Sequence, residues 1–190
     1  MPAKLFLYKA ANANMVAILR RGPDRETWEL IRWDLDTDTF TEGQWLLKKH
    51  LNGKYAAISP CGRFFAYHYD IYGYVKGEQN HTCHGVVSAL PNFTALYFNE
   101  EHKGNWEAVR FTEDSEVSGP PMVKKADVQL VQVGYTKNST PTGFLDMETE
   151  PTWTDPKGRV ITTQDGKILA DGTLLYDTTD HIFVPRPAMA

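Results

Sequence analysis

Short apolar and aromatic runs recur along the whole chain, and turn-forming residues separate them. The spacing between the starts of these runs is ~8–12 residues, which is typical of antiparallel strands that follow one another in a meander. The pattern predicts strands at 4–9, 15–20, 27–33, 55–59, 64–70, 86–90, 94–98, 106–111, 128–133, 159–163, 166–170, 173–177 and 181–184.

The segments between the runs carry residues that favour tight turns. Gly22-Pro23 separates two strands of similar length, and Asp165-Gly166 and Asp171-Gly172 lie between short β-type runs. Asp-Gly pairs in this setting are typical of two-residue hairpins. The C-terminal part of the chain is therefore predicted to be a tight meander.

Helical pattern is scarce. Only 42–50 has helical character, whereas 114–126 and 136–152 contain proline and glycine and are predicted to be loops. No linker divides the chain, so residues 1–190 are predicted to form a single β-rich domain. The predicted fold class is all-β, an irregular antiparallel meander with the character of propeller blades or of a sandwich.

The tryptophans indicate where the core lies. Trp28 and Leu30 fall on one face of their predicted strand, and Ile31 and Trp33 fall on the other. A strand with bulky apolar groups on both faces is expected to be covered on both sides. The residues predicted to be buried are Trp28, Leu30, Trp33, Ile58, Phe65, Tyr67, Leu96 and Trp106.

Composition and charge narrow the classes of partner. The chain is 42% hydrophobic and 23% charged, as in globular domains, and its net charge of −4 argues against a nucleic-acid partner. It has no apolar run of the ~18–20 residues that a membrane span needs, and no recognisable signal segment begins it. We therefore expect a cytoplasmic protein without a membrane partner, in which Cys61 and Cys83 stay free thiols.

The segment His81-Thr82-Cys83-His84 is the most chemically suggestive part of the sequence. Imidazole and thiolate groups are ligands that zinc and copper prefer, but structural zinc sites pair two ligand motifs, and a second motif is absent here. A fourth ligand would have to come from His68, Cys61 or His102. We predict a surface loop at 81–84 that holds no metal, no cofactor anywhere in the chain, and no assignable catalytic residue.

A second candidate motif is the alternation of carboxylates at Asp34, Asp36 and Asp38. A calcium loop needs glycine at its sixth position and glutamate at its twelfth, where this chain has Thr39 and Trp45. The segment is therefore predicted to be a turn. Phosphate-binding loops, dinucleotide fingerprints and nucleophile elbows are absent from the sequence.

The run Ser59-Pro60-Cys61-Gly62-Arg63, followed by an apolar strand, resembles the hairpin of WD40-like and TolB-like propeller blades, with Cys61 where those blades usually carry aspartate. The chain also resembles an uncharacterised bacterial family of similar length at 19–23, 28–34, 43–45, 59–62, 90–96 and 165–177, and at Phe183. The resemblance implies a β-fold and implies no activity.

The expected function is that of a non-catalytic binding or interaction module that acts through loops on a β-scaffold. The expected partner is another protein, or a second copy that associates through an edge strand. Two alternatives stay open at this point. One is a small metal- or Cys/His-dependent hydrolase centred on His81, Cys83 and His84, and the other is a structural subunit of a larger assembly.

Overall fold

A computed structural model describes residues 1–75, 78–99, 109–114, 116–118, 123–124, 131–133, 143–145, 147 and 152–187, with the backbone alone at 71–75, 78–83, 118, 123 and 131–133. The described residues are almost entirely β-structure, which confirms the all-β prediction. The strands are β1 (Lys4–Lys9), β2 (Met15–Arg21), β3 (Thr27–Asp34), β4 (Thr39–Leu47), β5 (His50–Leu51), β6 (Ala57–Ile58), β7 (Phe64–Val75), β8 (Glu78–Ala89), β9 (Ala95–Phe98), β10 (Arg110–Glu113), β11 (Glu116–Ser118), β12 (Val123–Lys124), β13 (Val131–Val133), β14 (Phe144–Leu145), β15 (Thr152–Thr154), β16 (Val160–Gln164), β17 (Lys167–Ala170) and β18 (Thr173–Asp177), with a 3₁₀ turn at Gly53–Tyr55.

The strands form four sheets. Sheet A has the order β14-β1-β2-β3-β4, and sheet B has the order β12-β9-β8-β7-β5 with β6 also paired to β7. Sheet C is β10-β11-β13, and sheet D is β15-β16-β17-β18. Within sheets A and D most neighbours along the chain are neighbours in the sheet, as a meander requires.

The sheets are stacked face to face in the order C, B, A, D. One face of sheet A packs on sheet B, as where Tyr8 meets Phe65, and the other face packs on sheet D, where Trp33 and Ile168 share a core. The second face of sheet B packs on sheet C around Val117. Both inner sheets are therefore covered on two sides. The described strands form neither a closed barrel nor a closed propeller.

Sequence predictions for the turns of sheet D are confirmed. Asp165 and Gly166 join β16 to β17 with φ of 50° and 83°, and Asp171 and Gly172 join β17 to β18 with φ of 49° and 76°. Two consecutive residues at positive φ define the hairpin turn whose twist matches that of the strands. The Asp-Gly pairs therefore set the register of the sheet.

The two-sided core of β3 is also confirmed. Trp28 and Leu30 belong to the core between sheets A and B, and Ile31 and Trp33 belong to the core between sheets A and D. The other predicted core residues Ile58, Phe65 and Tyr67 are buried, whereas Leu96 is half-buried and Trp106 lies outside the described residues.

The segment 42–50, which has some helical character, forms most of β4 and the start of β5. Pairing with β3 outweighs the weak local helical preference. Gly43 explains how the strand fits: a Cβ atom there would lie 1.9 Å from the carbonyl oxygen of Pro91 and 2.6 Å from that of Leu30. Only glycine permits this close approach between backbones.

Three further segments differ from prediction. The loop predicted at 136–152 contains β14, which pairs with β1, and the loop predicted at 114–126 contains β11 and β12. Both contain strands of two or three residues, which depend on their partners and leave little pattern of their own. The strand predicted at 181–184 is absent. No helix of the described part is long and apolar enough to cross a membrane.

The carboxylates of the β3–β4 hairpin have structural partners. The Oδ1 atom of Asp34 accepts hydrogen bonds from the backbone N–H groups of Asp36 and Thr37 at 2.9 and 3.1 Å. Asp38 accepts two hydrogen bonds of 2.8 Å from the Arg159 guanidinium and one of 2.9 Å from Lys157. The segment is a turn, as predicted, and its Asp38 ties sheet A to the β15–β16 connection of sheet D.

We expect Asp38→Asn to lower the free energy of unfolding at pH 7 by about 1–3 kcal/mol, because the two-pronged bond to Arg159 is charge-assisted. The Arg159 guanidinium lowers the pKa of Asp38 from 3.8 to about 2. The carboxylate therefore stabilises the fold above pH 3.8, and this contribution is lost as the pH falls toward 2. Urea unfolding between pH 7 and 2 measures both effects. Asp36→Asn, in the same turn, should change stability by less than ~0.5 kcal/mol.

Candidate functional site

The segment His81–His84 is part of strand β8, and the prediction of a surface loop is wrong. Residues 81–84 pair in unbroken antiparallel register with 69–72 of β7. Strand β8 contains most of the strand predicted at 86–90 and extends it toward the N-terminus, where it pairs with β7 in a long hairpin. The extension contains polar residues without apolar alternation, and its strand conformation depends on pairing with β7. The side chains of His81 and Cys83 lie outside the described ones.

The imidazole of His84 is enclosed by aromatic rings. It stacks on Tyr69 at 5.1 Å and on Phe98 at 5.2 Å between centroids, and its exposed fraction is 8%. Its Nδ1 lies 3.2 Å from the carbonyl oxygen of Asn99, a distance at which an Nδ1–H group donates. His84 therefore acts as a packed residue of the sheet.

The other proposed ligands are also engaged where the structure describes them. The Nε2 atom of His68 accepts a hydrogen bond of 3.1 Å from the backbone N–H of Val109. Cys61 is a free thiol, as the prediction of no disulfide with Cys83 requires. Burial raises the pKa of Cys61, but hydrogen bonds from Arg63 and Ser59 outweigh that effect, so the pKa lies below its ordinary value. His102 lies outside the described residues.

A different group of ionisable side chains comes together on the face of sheet A that is turned toward sheet D. Arg20 of β2 and Glu29 of β3 stand directly opposite each other in the register, and both are almost fully buried. Glu42 of β4 lies opposite Ile31, whose side chain is on the same face. This face is therefore apolar at one end and charged at the other.

His181 lies between the two glutamates. Its Nδ1 is 2.8 Å from Oε2 of Glu29, and its Nε2 is 3.5 Å from Oε1 of Glu42. The hydrogen bond to Glu29 raises the pKa of His181, burial opposes this, and the charge of Glu42 adds to the increase while Arg20 lowers it. Because both ring nitrogens face carboxylate oxygens, the geometry favours the doubly protonated imidazolium.

The chain that follows β18 is held over this charged end by further contacts. Arg20 donates to the carbonyl oxygens of Thr178 and His181 at 3.1 and 3.3 Å. Arg186 donates to both the side chain and the backbone carbonyl of Glu42. The C-terminal segment, residues 178–187, is therefore fixed across β2, β3 and β4.

The set Glu29, Glu42 and His181 is the one group of three potential metal ligands among the described residues. Oε1 of Glu29 is buried and receives no hydrogen bond within the described part. Even so, His181 turns a different nitrogen to each carboxylate, and Arg186 neutralises Glu42. These features suit a proton between the carboxylates better than a divalent cation. We therefore treat the group as an ion-pair cluster.

Sequence analysis missed this cluster, although a signal was available. Arg20 follows Ile18-Leu19, and Glu29 stands between Trp28 and Leu30, in strands whose apolar residues occupy both faces. A charged residue inside such a strand needs a buried partner of opposite charge.

The C-terminal segment and the neighbouring sheet edge also expose apolar groups. Ile182, Phe183 and Val184 are 76%, 43% and 40% exposed, and Phe183 packs edge-on against Trp45 at 6.1 Å between centroids. Leu174 of β18 is 52% exposed. The exposed apolar groups of the C-terminal segment are neighbours in the chain, and an exposed apolar patch is typical of a binding site.

Comparison with known proteins gives no further guide to function. No protein-family model, no curated protein and no solved structure matches the chain. The resemblance to propeller blades and to a bacterial family stays a prediction.

Proposed function

We propose that this protein is a non-catalytic binding module whose binding element is the open edge of sheet D, and that its partner there is a second copy of the same chain. The observation that carries the proposal is the condition of β18. This strand pairs with β17 on one side, and its other side has no hydrogen-bonded neighbour among the described strands. An unpaired strand edge is a template for another strand.

The edge of sheet A at β4 and the other edge of sheet D at β15 are less open to pairing with another strand. Along β4 the N–H of Gln44 donates to Pro91, and the Arg186 side chain donates to the Glu42 carbonyl. The opposite edge of sheet D, β15, has only three residues. By contrast, β18 has five residues, Thr-Leu-Leu-Tyr-Asp, with no proline or lysine to discourage pairing.

The sequence of β18 is compatible with antiparallel pairing to itself. If two copies pair with Leu175 opposite Leu175, each Thr173 faces Asp177 and each Leu174 faces Tyr176 of the other copy. This register sets no like charges opposite each other and joins a hydroxyl to a carboxylate. The same surface meets itself across a two-fold axis, so the contact closes as a dimer.

The hydrolase alternative receives less support. Its one described side chain, that of His84, is enclosed by two aromatic rings and bound to a carbonyl oxygen. A cytoplasmic location is part of the same proposal and agrees with the free thiol of Cys61.

The test measures molar mass by light scattering at concentrations from about 10 to 200 µM, because dimerisation follows mass action. We expect the wild-type chain to be a dimer, and Leu174→Lys to be a monomer that still unfolds in one cooperative transition and whose melting temperature does not depend on concentration. Val160→Lys is the matched control, since Val160 is 42% exposed but lies on β16, away from the open edge. A monomeric wild type, or equal dissociation of both variants, would refute the proposal.

A further inference from the structure

The C-terminal segment covers part of sheet A, but it is attached by few contacts. The backbone N–H groups of Thr178 and His181 donate to carbonyl oxygens, whereas 182–187 makes no backbone–backbone hydrogen bond within the described part of the chain. Side chains make the hydrogen bonds that join this last stretch to β4. A segment without ladder bonds opens at a lower free energy than the strands it covers.

Polar atoms beside the C-terminal segment make its closure costly. Oε1 of Glu29, Nε1 of Trp45 and Oη of Tyr176 are buried and have no hydrogen-bond partner among the described groups. All three side chains touch the segment. Glu29 and Tyr176 contact His181, the second of them edge-on at 5.7 Å between centroids, and Trp45 contacts Phe183. Because burying a polar atom without a partner is unfavourable, the charged contacts of the segment must offset this cost.

The imidazole of His181 makes the charged contacts at the centre of the segment. Its Nδ1 lies 2.8 Å from Glu29 of β3, and its Nε2 lies 3.5 Å from Glu42 of β4. As an imidazolium it directs an N–H group at each carboxylate. When one proton is lost, one ring nitrogen becomes an acceptor that faces a carboxylate oxygen. Loss of the proton therefore replaces an attraction with a repulsion.

The other charged and titratable groups around His181 come from β2, β18 and the segment itself. Arg20 of β2 lowers the pKa of His181, and Arg186 of the segment shares Glu42 with it. Both guanidinium groups stay charged at every pH that a folded protein meets. Burial raises the pKa of Tyr176, so its hydroxyl stays neutral near pH 7. Histidine is the side chain that ordinarily changes charge near neutral pH.

We propose that the C-terminal segment is a pH-sensitive cover, which lies closed on sheet A while His181 is charged and opens when His181 loses its proton. Opening uncovers Trp45 and frees the carbonyl oxygen of Glu42 at the edge of β4, to which Arg186 otherwise donates. It also releases the apolar run at 182–184 from the sheet. The sheets themselves stay folded during this change.

The two states fix the direction of the pH dependence. In the closed state the hydrogen bond to Glu29 raises the pKa of His181 above its ordinary value of 6.5, to which it returns when the segment opens. Closure is therefore strongest below pH 6.5 and weakens as the pH rises through the raised pKa.

Limited digestion with chymotrypsin tests the proposal, because the protease must lift the segment from Trp45 to cleave after Phe183. Mass spectrometry follows the release of residues 184–190. The rate is divided by that of a synthetic peptide of residues 178–190 at the same pH, which removes the pH dependence of the protease. When opening is fast relative to cleavage, this ratio follows the open population. We expect it to rise at least about threefold between about pH 6 and 9.

Three variants assign this rise to the imidazole. His181→Gln should have an increased ratio at about pH 6 and no dependence on pH, because its side chain does not titrate. Arg186→Gln should increase the ratio at every pH and keep the dependence. For both, the reference peptide carries the same substitution. His50→Gln is the matched control, since it removes an exposed histidine of β5 in sheet B, and it should reproduce the wild-type profile.

Far-UV circular dichroism at each pH separates local opening from global unfolding. The signal of the sheets should stay constant while the cleavage ratio rises. A constant ratio in the wild type, or a pH dependence that survives in His181→Gln, would overturn the proposal. So would a rise that is lost in His50→Gln, or one that parallels a loss of the far-UV signal. None of these variants changes β18, so the outcome is independent of the test of dimerisation.

Discussion

Replacing Trp33 with alanine should lower the free energy of unfolding by about 3–5 kcal/mol, the range for a large aromatic side chain in a packed core. The Trp33 side chain is fully buried between sheets A and D. It stacks on Phe40 at 5.1 Å and meets Trp153 edge-on at 6.3 Å between centroids. The small alanine side chain would leave a cavity where the two sheets meet.

Chemical denaturation of the wild type and of three variants measures this effect. Trp33→Phe keeps a ring against Phe40 and should lose less than about half as much stability as Trp33→Ala. Tyr55→Ala is the control, since Tyr55 is 40% exposed, and it should change stability by about 0.5 kcal/mol or less. Near wild-type stability of Trp33→Ala would show that sheet D contributes little to the fold.

Replacing Glu29 with glutamine should lower the free energy of unfolding by about 3–5 kcal/mol near pH 6, because it leaves the charge of buried Arg20 without its partner. Glu29 is fully buried, and Arg20 is 2% exposed. The substitution also removes the charged acceptor of His181. Glu26→Gln, in the exposed hairpin before β3, is the matched control and should have an effect of less than ~0.5 kcal/mol.

The contribution of His181 should depend on pH in a defined direction. The pKa of His181 is raised above 6.5 in the folded chain, mainly by the hydrogen bond to Glu29. Its protonated form therefore stabilises the fold fully below pH 6.5, and this contribution is lost as the pH rises through the raised pKa.

Unfolding curves recorded from pH 5.5 to 9 for wild type and for His181→Gln test this dependence. The difference in stability between the two proteins should shrink as the pH rises. A constant difference over this range would mean that His181 acts through packing and not through its charge.

Local patterns predicted much of this fold. The alternation of side chains predicted which residues of β3 lie on each of its two faces, and the Asp-Gly pairs predicted the turns of sheet D. Both features depend only on residues that are close together in the chain. The bounds of β1 and β18 agree with prediction for the same reason.

Other elements depend on contacts that no local pattern reveals. Strand β4 forms where 42–50 has helical character, because Gly43 fits against the Pro91 backbone and β3 offers a partner. Strand β14 joins residues that are more than a hundred positions from β1 along the chain. Such pairing is decided by the assembled sheet.

Local sequence patterns predict the candidate sites even less well than they predict these strands. Glu29 and His181 are 152 positions apart along the chain. The sequence offered the charged residues inside apolar strands, but only the stacking of the sheets shows which of them meet. Residues 81–84, by contrast, are adjacent in the chain and lie along a single strand.

Because sheets A and B are covered on both sides, few positions in their central strands can be substituted without affecting a core. In a one-sided sheet every second residue of a strand faces water and tolerates replacement. In β1, β2 and β3 neither set of alternate positions faces water over most of the strand. Neutral substitutions should therefore collect in the hairpins and on exposed positions of β15, such as Thr152 and Thr154.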